Sequence, residues 1–334
     1  MTATPLSKPN PAPNVAPNRL RTLRNLVTSQ EGILLLVIVV LMVGVGLAFP
    51  RFRADKNLSD IFQSNAYLAV AAVGMSILII SGNIDISIGA LVGVLSILAG
   101  TMVTSGFPVW LSWLVPILVG MLVGAVNGFF VAYLRIPAIV VTLGMFSILK
   151  GSLIIVLGGT TITSMPPEFF LAQQVWLGVP SPIWFMIIAS ILGAIFMRYS
   201  ATGRAIYAVG GNAEAARLSG INSRRITMTA FIINGLCVGV CSVMFSTQFN
   251  SIQASIPVGL ELKVITAAVV GGVSILGGTG IVIGSTLATI LLSAISSAMI
   301  FVGISAYWIN AVRGTLILVT VLVDIYRRNR LNRR

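Results

Sequence analysis

Ten apolar runs, each close to the length of a bilayer-crossing helix, leave this chain little freedom in what it can fold into. They cover approximately residues 33–49, 63–81, 88–105, 111–134, 138–157, 182–199, 226–247, 262–276, 281–303 and 307–326. About 20 apolar residues in a helix span the hydrocarbon core, and lipid offers no partner for an unsatisfied peptide group. The expected fold is therefore all-α: a polytopic membrane protein of about ten transmembrane helices with both termini in the cytoplasm. The run at 33–49 is longer than a signal-peptide core and no cleavage signal follows it, so it reads as an uncleaved first span. The run at 262–276 is short and glycine-rich, which points to a broken or re-entrant segment.

The charges test that topology. Lys and Arg concentrate in short segments between the runs, and alternate segments are rich and poor in them. Lys8, Arg19, Arg21 and Arg24, then Arg135, then Arg198, Arg204, Arg217, Arg224 and Arg225, and finally the tail from Arg327 to Arg334 fall on one side. Arg51, Arg53, Lys56 and Lys263 fall on the other, while Lys150 and Arg313 stay within runs. The rich side is cytoplasmic by the positive-inside rule. An odd number of spans would put either the basic arm or the basic tail on the wrong side. The domain plan is a disordered, Pro- and Asn-rich basic arm at 1–30, a transmembrane domain at 31–326 and a basic tail at 327–334. Only 9% of residues are charged, against about 25% in soluble domains. The net charge of +13 is thus a topology signal, and nucleic-acid binding is not expected.

The longest hydrophilic interruption is a cytoplasmic loop, residues 200–225. It encodes a short helix with its own end signals. Asn212 can cap the first amides and Gly220 can take the left-handed position that stops the helix. Glu214 lies toward the positive end of the dipole and Arg217 toward the negative end. Between them, Ala215 and Ala216 keep the body small. A helix this short does not persist alone in water; it would persist pinned between membrane helices or docked on a partner, and a soluble partner is expected to dock there.

Inside the runs, Asp85 stands out within Gly82-Asn83-Ile84-Asp85-Ile86-Ser87. A carboxylate facing mid-bilayer lipid is disfavoured by about 2.5–3.5 kcal/mol on insertion scales. Two readings remain open for it: a structural cap that fixes a helix break, or a group lining a translocation path. Asn83, Asn127, Thr142, Asn234 and Gln248 are the other polar residues that could line such a path. Each by itself also suits a hydrogen bond between helices. Few aromatic residues accompany them.

Several chemistries are excluded. The chain has no His, and Cys237 and Cys241 lie in an apolar run, so no metal centre or redox pair is indicated. Gly271–Gly280 resembles a nucleotide loop only in its glycines, since no Gly-Lys-Ser/Thr follows. With no catalytic triad or paired carboxylates, neither an enzyme nor a cofactor is expected.

Four segments, in order over about residues 33–326, resemble the ribose-type ABC transporter permeases. They are Gly82–Gly89, Ile136–Gly144 (Ile-Pro-Ala-Ile-Val-Val-Thr-Leu-Gly), Thr202–Ile221, and Gly259–Ala267 together with Gly271–Gly280. Asn83 stands where that family often has Gly, a departure shared with its autoinducer-2 and rhamnose branches, and Thr266 stands where Ala is usual. The resemblance implies a permease subunit of the bacterial inner membrane that imports a monosaccharide or related small polyol. It implies a periplasmic sugar-binding protein, a cytoplasmic ABC ATPase that contacts Asn212–Gly220, and a second permease copy or homologue. The competing reading is an ion-coupled secondary transporter with Asp85 as its coupling acid.

Overall fold

Every one of the ten apolar runs contains a helix in the computed structural model, which describes residues 29–157, 161–253, 259–305 and 307–331. The expected disordered arm lies outside the described residues up to position 28, as do the last three residues of the tail.

In chain order the helices are α1 (Gln30–Ala48), α2 (Asp55–Gln63), α3 (Ala66–Ile80), α4 (Ile88–Thr104), α5 (Val109–Ala132), α6 (Ala138–Leu157), α7 (Ser181–Tyr199), α8 (Ala201–Gly211), α9 (Ala213–Leu218), α10 (Ser223–Ser246), α11 (Leu260–Val270), α12 (Val282–Phe301) and α13 (Tyr307–Leu331). Among the described residues, six helical stretches are long and apolar enough to cross a membrane: Gln30–Ala48, Asp55–Ile80, Val109–Ala132, Ser181–Tyr199, Ser223–Ser246 and Val282–Phe301. The fold is that of a mostly helical, polytopic membrane protein.

The bundle is organised around α3. Of its residues, only Tyr67 escapes full burial, and α7, α10, α11 and α12 surround it. Its sequence is apolar all round, as a helix enclosed on every side must be. The closest helix pair is α5 with α10. Gly120, Gly124 and Gly128 on α5 meet Gly235, Gly239 and Phe231 on α10, with backbone against backbone. A Cβ at Gly239 would come within 2.6 Å of the Ile117 Cα. Glycine at every fourth position permits this approach, which gains dispersion and weak polar contacts where lipid supplies no hydrophobic drive.

Two helices begin inside the bundle. After α3 ends at Ile80, the chain turns at Gly82 (φ +86°) and doubles back to start α4 beside the middle of α3. The level is set by Asn234, which packs on Gly74 and bonds Asp85. Gly74 lies six residues before the end of α3, about 9 Å up the helix. The second is α11, only 11 residues long, or about 16 Å, roughly half of what a hydrocarbon core requires. Gly259 (φ +68°) opens it, and Glu261 in its first turn abuts Gly89 at the start of α4. Its far end, at Gly271, packs on Gly284 and Ser285 near the start of α12. Lys263, counted on the outer side by the charge pattern, lies in the first turns of α11 in a cluster with Arg313, Asn65 and Ser293.

One end of the bundle carries α8 and α9. The opposite end is covered by two short ribbons. β1 (Thr161–Ile162) pairs antiparallel with β4 (Ile252–Gln253), with Thr161 opposite Gln253, and β2 (Val175–Trp176) pairs with β3 (Val179–Pro180). Leu177 and Gly178 both have positive φ, which makes a tight hairpin turn whose twist suits the ribbon.

Candidate functional site

The break between α3 and α4 is held by a buried polar knot. The Asp85 carboxyl receives the Ser87 amide (2.8 Å) and the Ser87 hydroxyl (2.6 Å) on one oxygen, and Asn234 Nδ2 (3.0 Å) on the other. Asn127 Nδ2 donates to the same Ser87 hydroxyl at 3.2 Å. Asp85, Ser87, Asn127 and Asn234 are all buried. The local chemistry explains the shape, because an Asp that accepts the amide two residues on makes an Asx turn, which reverses the chain just before a helix. Asp85 therefore caps the bend ahead of α4, while Ser87 occupies the cap position itself. The knot ties α4 to α5 and α10 across 40 and 149 residues of sequence.

The other polar residues singled out from the sequence are dispersed. The Asn83 side chain bonds back to Ser81. Thr142 is buried in α6, and its hydroxyl bonds the Ala138 carbonyl of its own helix. Gln248 lies beyond the end of α10, where its carbonyl accepts from Gln173 Nε2.

Beneath the knot, three segments meet almost without side chains. The Gly278 amide donates to the Ile80 carbonyl at 2.9 Å. A Cβ on Gly210 of α8 would collide with that carbonyl and with the Gly278 amide. One on Gly277 would lie 2.9 Å from both the Gly82 Cα and the Gly210 oxygen. Tyr207 of α8 donates its hydroxyl to the Gly280 carbonyl at 2.8 Å. The end of α3, the C-terminal turn of α8 and the loop from α11 to α12 are thereby clasped together. Gly277 (φ +80°) and Gly278 (φ +74°) adopt backbone angles that other residues resist.

The clasp is continuous with α9. Asn212 ends α8 and caps α9, its Oδ1 accepting the Glu214 and Ala215 amides at 3.1 and 2.9 Å. At the other end, Gly220 (φ +83°) completes a Schellman motif, in which the Ile221 amide bonds the Ala216 carbonyl and the Gly220 amide bonds the Arg217 carbonyl. Glu214 and Arg217 form a bidentate ion pair on the exposed face. The hydrogen bond and charge of Arg217 hold the Glu214 carboxyl below its usual range. Ala216 is buried against the body, whereas Leu218 is 76% exposed, an apolar side chain presented to solvent.

The sequence reading missed Gly210, Tyr207 and Glu261. Nothing in local spacing marks Gly210 as the glycine of close approach. The four-residue spacing of Gly120, Gly124 and Gly128 was a visible signal for the α5–α10 seam. Among the described residues there is no group of three or more His, Cys, Asp or Glu that could hold a metal.

The structure combines a helical body of membrane-crossing character, helices that begin inside it, an exposed capped helix at one end and a backbone clasp between them. The chain belongs to the family described as branched-chain amino acid transport system / permease component, which it matches over residues 57–321. It is 33% identical to the autoinducer 2 import system permease protein LsrC of Salmonella typhi over 297 residues, 89% of this chain and 86% of that one. The protein of the same name in Yersinia enterocolitica is 35% identical over 297 residues, covering 89% and 82%. That of Escherichia coli is 33% identical over 291 residues, covering 87% and 85%. No solved structure matches. The chain is accordingly an inner-membrane permease subunit of an ABC importer and not an enzyme. Importers of this family work in general with an ATPase and a substrate-binding protein.

Proposed function

We propose that this permease carries a monosaccharide or related small polyol, and that it works as a dimer with a second copy or a homologue. In this reading ten segments cross or enter the membrane, and both termini are cytoplasmic. Arg135, Arg198, Arg204, Arg217, Arg224 and Arg225 gather at the α8–α9 end, which supports placing that end in the cytoplasm. A separate ATPase docks on Asn212–Gly220, with Leu218 offered to an apolar groove on the partner. The periplasmic binding protein delivers solute to the opposite, β-ribbon end.

The observation that carries the reading is the clasp at Gly210. A push on α9 moves α8, and α8 cannot move without displacing Ile80, Gly82 and Gly277–Gly278. Those residues anchor the two helices that begin inside the bundle, so one input reaches both breaks. Discrete repacking of such joints is how closed interfaces switch between outward and inward access. Asp85, Asn127 and Asn234 then serve the translocation path by holding its joint, while Asn83, Thr142 and Gln248 flank it. Asp85 already receives three hydrogen bonds, which leaves the ion-coupled reading without a specific observation in its favour.

The relatives are named for autoinducer 2, which makes that solute the first to test. In the assembled transporter, Glu214→Lys and Gly220→Pro abolish ATP-driven uptake while membrane insertion stays normal. Normal uptake and normal coupled ATP hydrolysis in both variants would refute the docking role.

A further inference from the structure

One face of α4 is lined by small residues at helical spacing: Gly89, Gly93, Ser96 and Gly100. Each meets something different. Gly89 faces the Glu261 carboxylate. Gly100 is covered by Ile252 and Ile162 of the β1–β4 ribbon. Between these two covers, at Gly93 and Ser96, lies a cavity of about 300 Å³. Its remaining wall is formed by the last turn of α10 and the segment after it, through Phe245, Ser246, Phe249, Ser251, Ile252 and Gln253. Phe249 is 50% exposed and stands at the mouth. Phe245 is fixed behind it by edge-on contacts with Phe249 (centroids 5.7 Å apart) and with Tyr67 (5.3 Å).

The chemistry of this lining is mixed in a particular way. Two aromatic rings supply a rigid apolar wall. Around it stand serine hydroxyls, which donate or accept by rotation, and one primary amide with both capacities. Ser96 and Ser246 already spend their protons on the Ser242 and Val243 carbonyls (3.2 and 3.0 Å), and their lone pairs remain as acceptors. One turn below the cavity on the same α4 face, Glu261 Oε2 is buried without a hydrogen-bond partner. A carboxylate oxygen in that condition is a strong acceptor for a hydroxyl donor. An acyl chain would waste every one of these polar groups, whereas a solute with C–H faces and a rim of hydroxyls uses both kinds of wall. The volume lies at the lower end for ligand pockets, which suits one sugar-sized molecule and no larger chain.

We infer that the cavity between α4, the end of α10 and the 249–253 segment is a binding site for a single small polyhydroxylated solute. Phe245 and Phe249 form its wall and Ser96, Ser246, Ser251 and Gln253 its polar rim, and the contact of Glu261 with Gly89 lies one turn below it. The site rests on the import reading above and gives it a place for the cargo. It also gives the two interior helix starts a purpose. Glu261 and Gly89 belong one to each, so separating α11 from α4 would extend the cavity by one turn along α4.

The test uses the full chain, assembled with its ATPase and binding protein in liposomes, and three radiolabelled probes: autoinducer 2, D-ribose and L-rhamnose. Ser251→Cys, at an exposed position, is labelled with a water-soluble maleimide; the unsubstituted chain, whose Cys237 and Cys241 lie within α10, is the control. A transported probe should slow labelling of Cys at that position several-fold. Phe249→Ala and Gln253→Ala should each lower maximal uptake about tenfold, the scale of one lost aromatic wall or hydrogen bond. Stimulation of ATP hydrolysis by the binding protein should persist in Phe249→Ala. Wild-type uptake with no protection, and with uptake unchanged in the two variants, overturns the site and leaves the import reading standing. Absence of ATP-driven uptake of all three probes by the wild type counts against the import reading itself, and the site falls with it.

Discussion

Asp85 and Glu214 carry the same carboxyl group and put it to opposite uses. Asp85 is sealed in the bundle with three hydrogen bonds from Ser87 and Asn234. Glu214 lies in the open, paired only with Arg217 on the next turn. Inside the bundle an unmade hydrogen bond has no water to replace it, so every partner of Asp85 is part of the fold. On the surface, water competes for each contact, and an exposed ion pair adds little to stability. The difference teaches where to look for fold and where to look for a partner. The buried acid defines a joint, and the exposed one decorates a handle.

The comparison breaks first if Asp85 proves dispensable. Asp85→Leu strands the Ser87 and Asn234 donors, and we expect a loss of about 3 kcal/mol or more in folding stability. Thermal unfolding of the detergent-purified chain measures it. Asp85→Asn retains an acceptor and should lose visibly less. If the leucine variant melts like the parent, the knot is ornamental.

The next effect is that of one methyl group on either side of the clasp. Gly210→Ala drives a Cβ into the Ile80 carbonyl and should destabilise by about 1–3 kcal/mol, as overpacking does. Its loss of ATP-driven uptake should exceed what its folded fraction explains. Gly211→Ala is the control, because its Cβ would find only the Gly278 Cα, 3.9 Å away. Equal transport in the two variants would show that α8 does not transmit force through this contact.

Smallest is the effect of pH on the handle. The Glu214 carboxyl is held below its ordinary value by Arg217. Such a group contributes above its unfolded pKa, and the contribution is lost as pH falls through the lower folded value. Coupling through α9 should therefore be flat from pH 7 to 5 as far as Glu214 is concerned. Carboxyl-selective NMR of the labelled assembly should show Glu214 titrating below ordinary glutamates, with Arg217→Gln bringing it back. An unshifted midpoint would mean that the pair does not persist.

Much of this arrangement was legible beforehand, and the physical reason is the range of each signal. Apolar runs are local, so the helices were readable from one end to the other. The caps at Asn212 and Gly220 are equally local and appear at those residues. Asp85 announced a break but could not name its partner, because Asn234 lies 149 residues away. Hydropathy also could not tell α3 from α7. One is enclosed by its own chain and the other leaves much of its length exposed, and lipid and protein surroundings accept the same apolar side chains. The GxxxG spacing on α5 was in plain view. What the sequence does not disclose is its partner helix, nor which of the 33 glycines is the one clasped at position 210.

The position of α3 has a consequence for how the chain is made. It is translated early yet ends up walled in by α7, α10, α11 and α12. When residue 85 leaves the ribosome, the residue that will satisfy it is still on the order of ten seconds from synthesis at roughly 5–20 residues per second. Throughout that interval the future centre of the bundle sits in the insertion machinery or in lipid, with an acid waiting nearby. The last steps of biogenesis are thus a closing of later helices around an earlier one, a search dominated by distant contacts and slow for that reason. Chains truncated before α10 should be held by the insertion apparatus and quality-control proteases, and those including it should be released.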